Sequence, residues 1–257
     1  MSDFHRLQQK LGPVYSCNRP DSSTPHVVVL LPSFSVGESL LSHYASRLPA
    51  LEHRFLVGLL SLRMPATRLV YVCSSEPAVA VIEHYLSLLP PSPPSPVQDR
   101  LQLVVVDDLT PRPVAAKLLD RPDLIDRIRS WVGSDPGFIE PWNVAEPERE
   151  LALQLGLPLM GTAPELWPLG FKSAGRRLFR SAGIPVPSGF EDLSSVSAVV
   201  EAIEKLRVSD PDMEAVILKL DDSGAGDGNA VIRIDDLEPP GSKIASRRLR
   251  SRVNSLE

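Results

Sequence analysis

Three continuous apolar runs constrain the fold of this chain more than any other feature of its 257 residues. They read HVVVLLPS from His26, RLVYVCSS from Arg68 and LQLVVVDD from Leu101. Runs of this kind are typical of strands that are buried on both faces, as in a parallel sheet. Apolar residues at helical spacing follow each run, so strands and helices alternate along the chain. The sequence therefore predicts an α/β fold with a mainly parallel sheet, covered on both faces and joined by right-handed crossovers.

Further elements of this domain are predicted from local spacing. A long helix is predicted after the first strand, because apolar residues recur there at steps of three and four. These residues are Tyr44, Leu48, Leu51, Phe55, Leu59 and Leu62. A short fourth strand is predicted at residues 137–143, followed by another helix. The proline-rich stretch PPSPPSP at residues 90–96 predicts an extended, exposed loop.

The composition excludes several classes of protein. Hydrophobic residues make up 43% of the chain and charged residues 23%, which is ordinary for a globular protein. The net charge of -5 argues against nucleic-acid binding through charge alone. The longest apolar run, residues 27–31, is too short to span a bilayer. We therefore expect a cytoplasmic protein that binds neither membranes nor nucleic acid, with Cys17 and Cys73 as free thiols and Cys73 in the core.

The segment after the first predicted strand excludes a dinucleotide site. It reads PSFSVGE, whereas a nicotinamide-dependent enzyme of the Rossmann type needs G-x-G-x-x-G at this position. Ser33, Ser35 and Glu38 are the polar residues of the segment. We interpret the serines as caps of the helix that follows. The alternative is that these side chains contact a ligand at the carboxyl edge of the sheet.

A glycine-rich hairpin is predicted at residues 216–234, which read VILKLDDSGAGDGNAVIRI. Two apolar runs flank a loop that contains Gly224, Gly226 and Gly228, and Lys219 stands at the mouth of the loop. Glycines allow backbone N–H groups to approach an anion closely, and a lysine adds positive charge. A phosphate clamp is one interpretation of this pattern. A flexible surface hairpin, in which the glycines only relieve turn strain, is the other.

A second lysine strengthens the first interpretation. Lys172 lies in the first turn of a helix predicted from about residue 172 to 182, and Gly183 with Pro185 ends that helix. The N-terminal end of a helix disfavours a cation and favours an anion. A lysine placed there suggests an anionic ligand, and a solvated surface lysine is the alternative.

The order and spacing of these motifs resemble a known family. The segment KSAGRRLFRSAGIPVP, a strand that ends in Lys219 and a glycine-rich loop are similar to the N-terminal nucleotide-binding part of the ATP-grasp ligases. The upstream α/β domain resembles their pre-ATP-grasp domain. The segments HYASRLPALEHRFLVGLLSLRMPATRLVYVCSSEP, KLLDRPDLIDRIR and GDGNA resemble the peptide-ligase branch typified by the pheganomycin ligase. The likeness extends from about residue 26 to residue 235.

The resemblance implies a reaction and a set of binding residues. Such ligases use ATP and Mg²⁺ to convert a carboxylate into an acyl phosphate, which an amine then attacks. By position in the family motifs, six residues are expected to bind ATP: Lys172, Lys219, Ser223, Gly224, Gly226 and Gly228. No metal ligand is assigned. Asp221, Asp222 and Asp227 are expected to lower the affinity for phosphate unless Mg²⁺ or Lys219 offsets their charge.

The expected organisation has four parts. Residues 1–25 form a leader, 26–160 the pre-ATP-grasp-like domain, 161–235 part of an ATP-grasp nucleotide-binding subdomain, and 236–257 a disordered basic tail. Members of the family continue through a C-terminal catalytic half, so the resemblance implies a truncated ligase that is inactive alone. The alternative is a non-catalytic protein-binding or regulatory module that retains the α/β scaffold. Residues 230–234 are expected to form an unpaired edge at which a partner or a second copy pairs.

Overall fold

The structure, a computed structural model, describes residues 2–90, 96–223 and 228–256. Most of the predicted proline-rich loop, residues 91–95, lies outside the described residues. The chain divides into two compact units, Met1–Trp167 and Pro168–Glu257. No helix of the described segments is both long enough and apolar enough to cross a membrane.

The first unit is built on a parallel sheet of four strands in the order β3-β2-β1-β4. The strands are β1 His26–Leu31, β2 Thr67–Cys73, β3 Leu101–Val105 and β4 Gly137–Pro141. The prediction of an α/β fold with a mainly parallel sheet is confirmed. Because β2 and β3 follow on one side of β1 and β4 lies on the other, the strand order reverses between β1 and β4. In open α/β sheets, the carboxyl ends of such a strand pair border a crevice.

Helices cover both faces of this sheet. They are α1 Asp3–Gln8, α2 Leu11–Tyr15, α3 Glu38–His43, α4 Leu48–His53, α5 Val79–Ser87, α6 Val114–Leu119, α7 Pro122–Val132 and α8 Glu146–Leu155. Short 3-10 helices occur at Ala45–Arg47, Arg54–Arg63, Val97–Arg100 and Pro164–Gly170. On one face Val29 and Val70 pack with Ile128 and Leu151. On the other face Leu30 and Tyr71 pack with the Arg54–Arg63 segment.

The long helix predicted over residues 44–62 is wrong, because this stretch consists of α4 between two 3-10 segments. Pro49 lies in the first turn of α4, where it has no N–H to continue a preceding helix and it disfavours the helical conformation of the residue before it. The apolar stripe itself is correct in part, since Leu48, Leu59 and Leu62 are buried. Cys73 is also buried, as expected of a core thiol, and burial raises its pKa to about 12.

The N-terminal leader contains the short helices α1 and α2. Phe4 and Leu7 of α1 are buried in the core of the first unit. The side-chain amide of Gln8 accepts a hydrogen bond from the Leu159 N–H at 2.7 Å and donates to the Leu159 carbonyl at 3.0 Å. Leu159 in turn forms an isolated parallel bridge with Ile139 of β4. The leader therefore packs as part of the first unit.

The second unit contains three helices and an antiparallel hairpin. The elements are α9 Lys172–Ser181, α10 Val196–Ser209, β5 Ala215–Lys219, β6 Asn229–Arg233 and α11 Lys243–Asn254. Val216 and Leu218 on the inner face of the hairpin pack with Ile203 of α10 and Leu249 of α11. The antiparallel hairpin confirms the hairpin expected from the sequence.

The basic tail, which the sequence predicted to be disordered, instead contains helix α11. The Ser242 hydroxyl accepts a hydrogen bond from the Ala245 N–H at 3.0 Å and so caps the helix. Leu249 is fully buried, and the guanidinium groups of Arg248 and Arg252 form ion pairs with Asp236. Apolar residues at steps of four between the arginines give the helix its buried face, and this periodicity is what the prediction overlooked.

Candidate functional site

The Lys172 ammonium lies against the segment that follows β5. Lys172 is the first residue of α9, and its Nζ donates hydrogen bonds to the carbonyl oxygen of Leu220 at 2.8 Å and of Ser223 at 2.6 Å. It also contacts the Ser223 Oγ at 2.7 Å and, at 3.4 Å, the carbonyl oxygen of Asp221. Two of the residues predicted to bind phosphate, Lys172 and Ser223, are therefore in direct contact. The ammonium is held by main-chain and hydroxyl oxygens rather than by a carboxylate.

Asp221 caps the start of α9. Its Oδ1 accepts a hydrogen bond from the Ser173 N–H at 2.7 Å, and its carbonyl oxygen accepts one from the Lys172 N–H at 3.3 Å. The residue before the helix, Phe171, provides no side-chain cap. Asp221 thus satisfies N–H groups that a helix start leaves open, and its charge lies at the positive end of the helix dipole.

Gly228 closes the hairpin tightly over this segment. Its carbonyl oxygen accepts a hydrogen bond from the Leu220 N–H at 2.8 Å, and its φ is +69°. A Cβ at this position would lie 2.9 Å from the Leu220 Cβ and 3.0 Å from the Ser223 Oγ. Both the backbone conformation and the space therefore require glycine. Gly224 and Gly226, together with Asp227, lie outside the described residues.

Lys219 differs from Lys172 in having no polar partner among the residues that the structure describes. It is exposed at the end of β5, opposite Asn229 of β6. Its side chain lies on the outer face of the hairpin, which also carries the cross-strand pair Ile217 and Val231. These two side chains are 60% and 64% exposed. The outer face thus presents an available cation next to an uncovered apolar pair.

Glu191, which sequence reasoning missed, anchors the segment that follows α9. The Glu191 carboxylate is only 12% exposed and accepts a hydrogen bond from the Arg176 Nε at 2.6 Å. It also pairs with Arg180, and Arg176 donates to the Pro187 carbonyl at 2.8 Å. The Arg176 hydrogen bond and the two positive charges lower the pKa of Glu191. The spacing of four between Arg176 and Arg180 was the available signal, because it places both guanidinium groups on one face.

In the first unit, Ser33 caps a different helix from the one expected. Its Oγ accepts a hydrogen bond at 3.1 Å from the N–H of Ala115, in the first turn of α6. The start of α3 has no side-chain cap, so the predicted capping of that helix is wrong. The Ser35 hydroxyl donates to Glu148 at 2.5 Å, and its main chain exchanges hydrogen bonds with the Asn143 amide. The side chain of Glu38 lies outside the described part of the chain.

A buried charged network lies at the carboxyl edge of the sheet, directly after β2. The Lys117 Nζ donates to the Ser74 Oγ and to the Asp108 carbonyl oxygen, both at 2.8 Å. Ser74 in turn donates its N–H and hydroxyl to the Glu52 carboxylate at 2.7 Å. Lys117 is 2% and Glu52 3% exposed, and burial lowers the pKa of Lys117. The contacts make this network part of the packing of the first unit.

The described residues contain no group of three or more histidine, cysteine, aspartate or glutamate side chains that could hold a metal ion.

Comparison with known proteins bears on the second unit most directly. Residues 168–253, which include α9, α10 and both strands of the hairpin, match the model of the IQCH-like ATP-grasp family. The expected resemblance to ATP-grasp proteins is confirmed.

Two curated proteins extend this ATP-grasp likeness. The chain is 28% identical over 229 residues to an L-propargylglycine–L-glutamate ligase of Streptantibioticus cattleyicolor, covering 85% of this chain and 47% of the ligase. It is 25% identical over 126 residues to IQ motif-containing protein H of Danio rerio, covering 49% of this chain and 12% of that protein. The chain therefore spans about half the length of the first relative and a small part of the second.

Proposed function

We propose that the second unit binds the phosphate groups of ATP, as part of an ATP-dependent carboxylate–amine ligase of the peptide-ligase type. One observation carries the proposal: the Lys172 ammonium is hydrogen-bonded to the segment that directly follows Lys219. Lys172, which lies 47 positions before Lys219 in the sequence, thus contacts the residues that follow Lys219, and Gly228 packs with a positive φ against Leu220 and Ser223.

The chemistry of these groups suits a nucleoside triphosphate. Phosphoryl transfer depends on cations placed around the β- and γ-phosphates, because negative charge spreads over the transferred group. Lys219 is exposed, and no carboxylate of the described residues forms an ion pair with it. Lys172, Ser223 and Gly228 supply the adjoining surface. Gly224 and Gly226 remain predicted members of the site.

When bound, ATP supplies the phosphoryl group that activates a carboxylate, and Mg²⁺ accompanies its phosphates. We assign no Mg²⁺ ligand to the described residues. The chain covers 47% of the ligase that it resembles. We therefore propose nucleotide binding for the 257 residues and ligation, through an acyl phosphate and an amine, for a protein that contains both halves of such a ligase.

The test is calorimetric titration of ATP with Mg²⁺ into the full chain and into Lys219→Met. Losing one charged contact of about 1.4 kcal/mol weakens binding about tenfold, which is the change we expect. Lys243→Met is the matched control, since Lys243 is an exposed lysine of the same unit outside the hairpin. Absence of ATP binding, or equal affinity in the wild-type chain and Lys219→Met, contradicts the proposal.

A second candidate is a non-catalytic protein-binding module. The likeness to IQ motif-containing protein H and the uncovered pair Ile217 and Val231 favour it. In this case the outer face of the hairpin, or the edge of β6, contacts a partner or a second copy of the chain. The titration separates the two candidates. A protein-binding module of this kind is expected to bind no ATP, and Lys219→Met should then give the same titration as the wild-type chain.

A further inference from the structure

Asp221 connects the start of α9 to the loop that holds the Lys172 ammonium. Its carboxylate accepts a hydrogen bond from the Ser173 N–H at 2.7 Å, and its main-chain oxygen accepts one from the Lys172 N–H at 3.3 Å. The neighbouring residues Leu220 and Ser223 provide the oxygens around the Lys172 Nζ. Backbone and side chain of the same lysine are therefore tied to one short segment.

These contacts restrict where the lysine charge can lie. A lysine side chain on an exposed helix end samples many rotamers, and a fraying first turn adds backbone freedom. The Asp221 carboxylate counters the fraying, because it accepts a hydrogen bond from an N–H of the first turn and its negative charge interacts favourably with the positive end of the helix dipole. With the first turn fixed, the ammonium reaches the Leu220 and Ser223 oxygens from a constant position.

We infer that Asp221 is a positioning residue, which holds the Lys172 charge beside the loop that is proposed to bind the phosphate groups of a nucleoside triphosphate. This inference rests on the proposed function of the second unit. The charge of Asp221 alone suggests that the residue weakens phosphate binding, since a carboxylate next to the site repels phosphate. The two roles predict opposite results when Asp221 is removed: repulsion predicts tighter ATP binding, and positioning predicts weaker binding.

Asp222 provides a control within the same loop. It carries the same charge at the next position, it is exposed, and none of the described residues donates a hydrogen bond to its side chain. Asp222→Ala therefore reports the effect of removing charge from the loop. Asp221→Ala removes charge and cap together, whereas Asp221→Asn removes the charge but keeps an oxygen that can cap the helix.

The first measurement is amide hydrogen exchange of Ser173 in the nucleotide-free chain. We expect exchange about fivefold faster in Asp221→Ala, the factor that corresponds to a typical helix cap. Asp221→Asn and Asp222→Ala should stay close to the wild-type rate. Unchanged exchange in Asp221→Ala overturns the inference, because the contact then does not hold the helix start.

The second measurement is the affinity for ATP with Mg²⁺ in the same four proteins. We expect affinity about five- to tenfold weaker in Asp221→Ala, recovery to within about twofold in Asp221→Asn, and no loss in Asp222→Ala. If the wild-type chain binds ATP and Asp221→Ala binds as tightly or more tightly, the positioning role alone is overturned. If the wild-type chain binds no ATP, the proposed function fails, and the role of Asp221 in a phosphate site fails with it.

Discussion

The Lys172 ammonium donates hydrogen bonds to both the carbonyl oxygen and the hydroxyl oxygen of Ser223, at 2.6 and 2.7 Å. Three donors are thus directed at a cluster of oxygens that also includes the Leu220 carbonyl. The arrangement joins the first turn of α9 to the end of β5 through a single side chain.

Lys172→Met is expected to destabilise the second unit by about 1–2 kcal/mol, because hydrogen bonds from a charged donor are lost while water replaces only part of them. Hydrogen exchange of Val216 and Leu218 in increasing urea measures the change, since both residues pack in the core of this unit. Lys205→Met is the control, because Lys205 forms an exposed ion pair with Glu201. Equal exchange in the two variants contradicts the prediction.

Gly228→Ala is expected to destabilise the hairpin by about 2 kcal/mol or more, since alanine is strained at a positive φ and its Cβ overlaps Leu220. Gly241→Ala separates the two causes. Gly241 has a φ of +82°, and no atom lies within 4 Å of a Cβ built on it. The same urea-dependent exchange should show a smaller effect for Gly241→Ala, of about 1 kcal/mol. If Gly241→Ala is equally destabilising, the close approach at Gly228 is not the cause.

Glu191 should make the second unit sensitive to acid. Its pKa in the folded chain is lowered from the ordinary value of 4.5, chiefly by the Arg176 hydrogen bond. The stabilisation is therefore present in full above that value and is lost as the pH falls through the folded pKa. In Glu191→Gln the fall in stability below about pH 5 should be shallower than in the wild-type chain, as measured by urea unfolding at stepped pH. Parallel pH profiles would show that another group is responsible.

Lys117→Met should destabilise the first unit by about 3 kcal/mol or more, because the Glu52 carboxylate is then left buried without a nearby cation. Tryptophan fluorescence during urea unfolding reports this unit, since Trp131, Trp142 and Trp167 all lie in it. The double variant Lys117→Met, Glu52→Gln should recover part of the loss. Strict additivity of the two single changes would indicate that the charges do not interact.

The sheet of the first unit was predictable because burial on both faces leaves continuous apolar runs at β1, β2 and β3. The broken helix over residues 44–62 was not, since α and 3-10 turns bury nearly the same stripe and differ in hydrogen-bond spacing. Helix α11 was missed because its arginines outweighed a sparse apolar periodicity. In that segment, local charge indicated disorder, but packing of Leu249 against the rest of the second unit stabilises a helix.

In the candidate site, too, some features were predictable from the sequence and others were not. Lys172, Lys219 and Gly228 were predicted as site residues from residue type together with the family resemblance, and the structure places Lys172 against the segment between the other two. The capping role of Asp221 has no local signal, because its partner Ser173 lies 48 positions away. Only the folded chain brings the two together, and it adds a capping role to the charge that was visible in the sequence.

The amide of Gln8 has a consequence for association between molecules. By accepting from the Leu159 N–H and donating to the Leu159 carbonyl, it occupies both main-chain groups as a neighbouring strand would. Exposed strand edges are templates for pairing with other chains and for aggregation. At Leu159, a single side chain from helix α1 occupies both groups, so this residue offers no open main-chain N–H or carbonyl to a strand of another molecule.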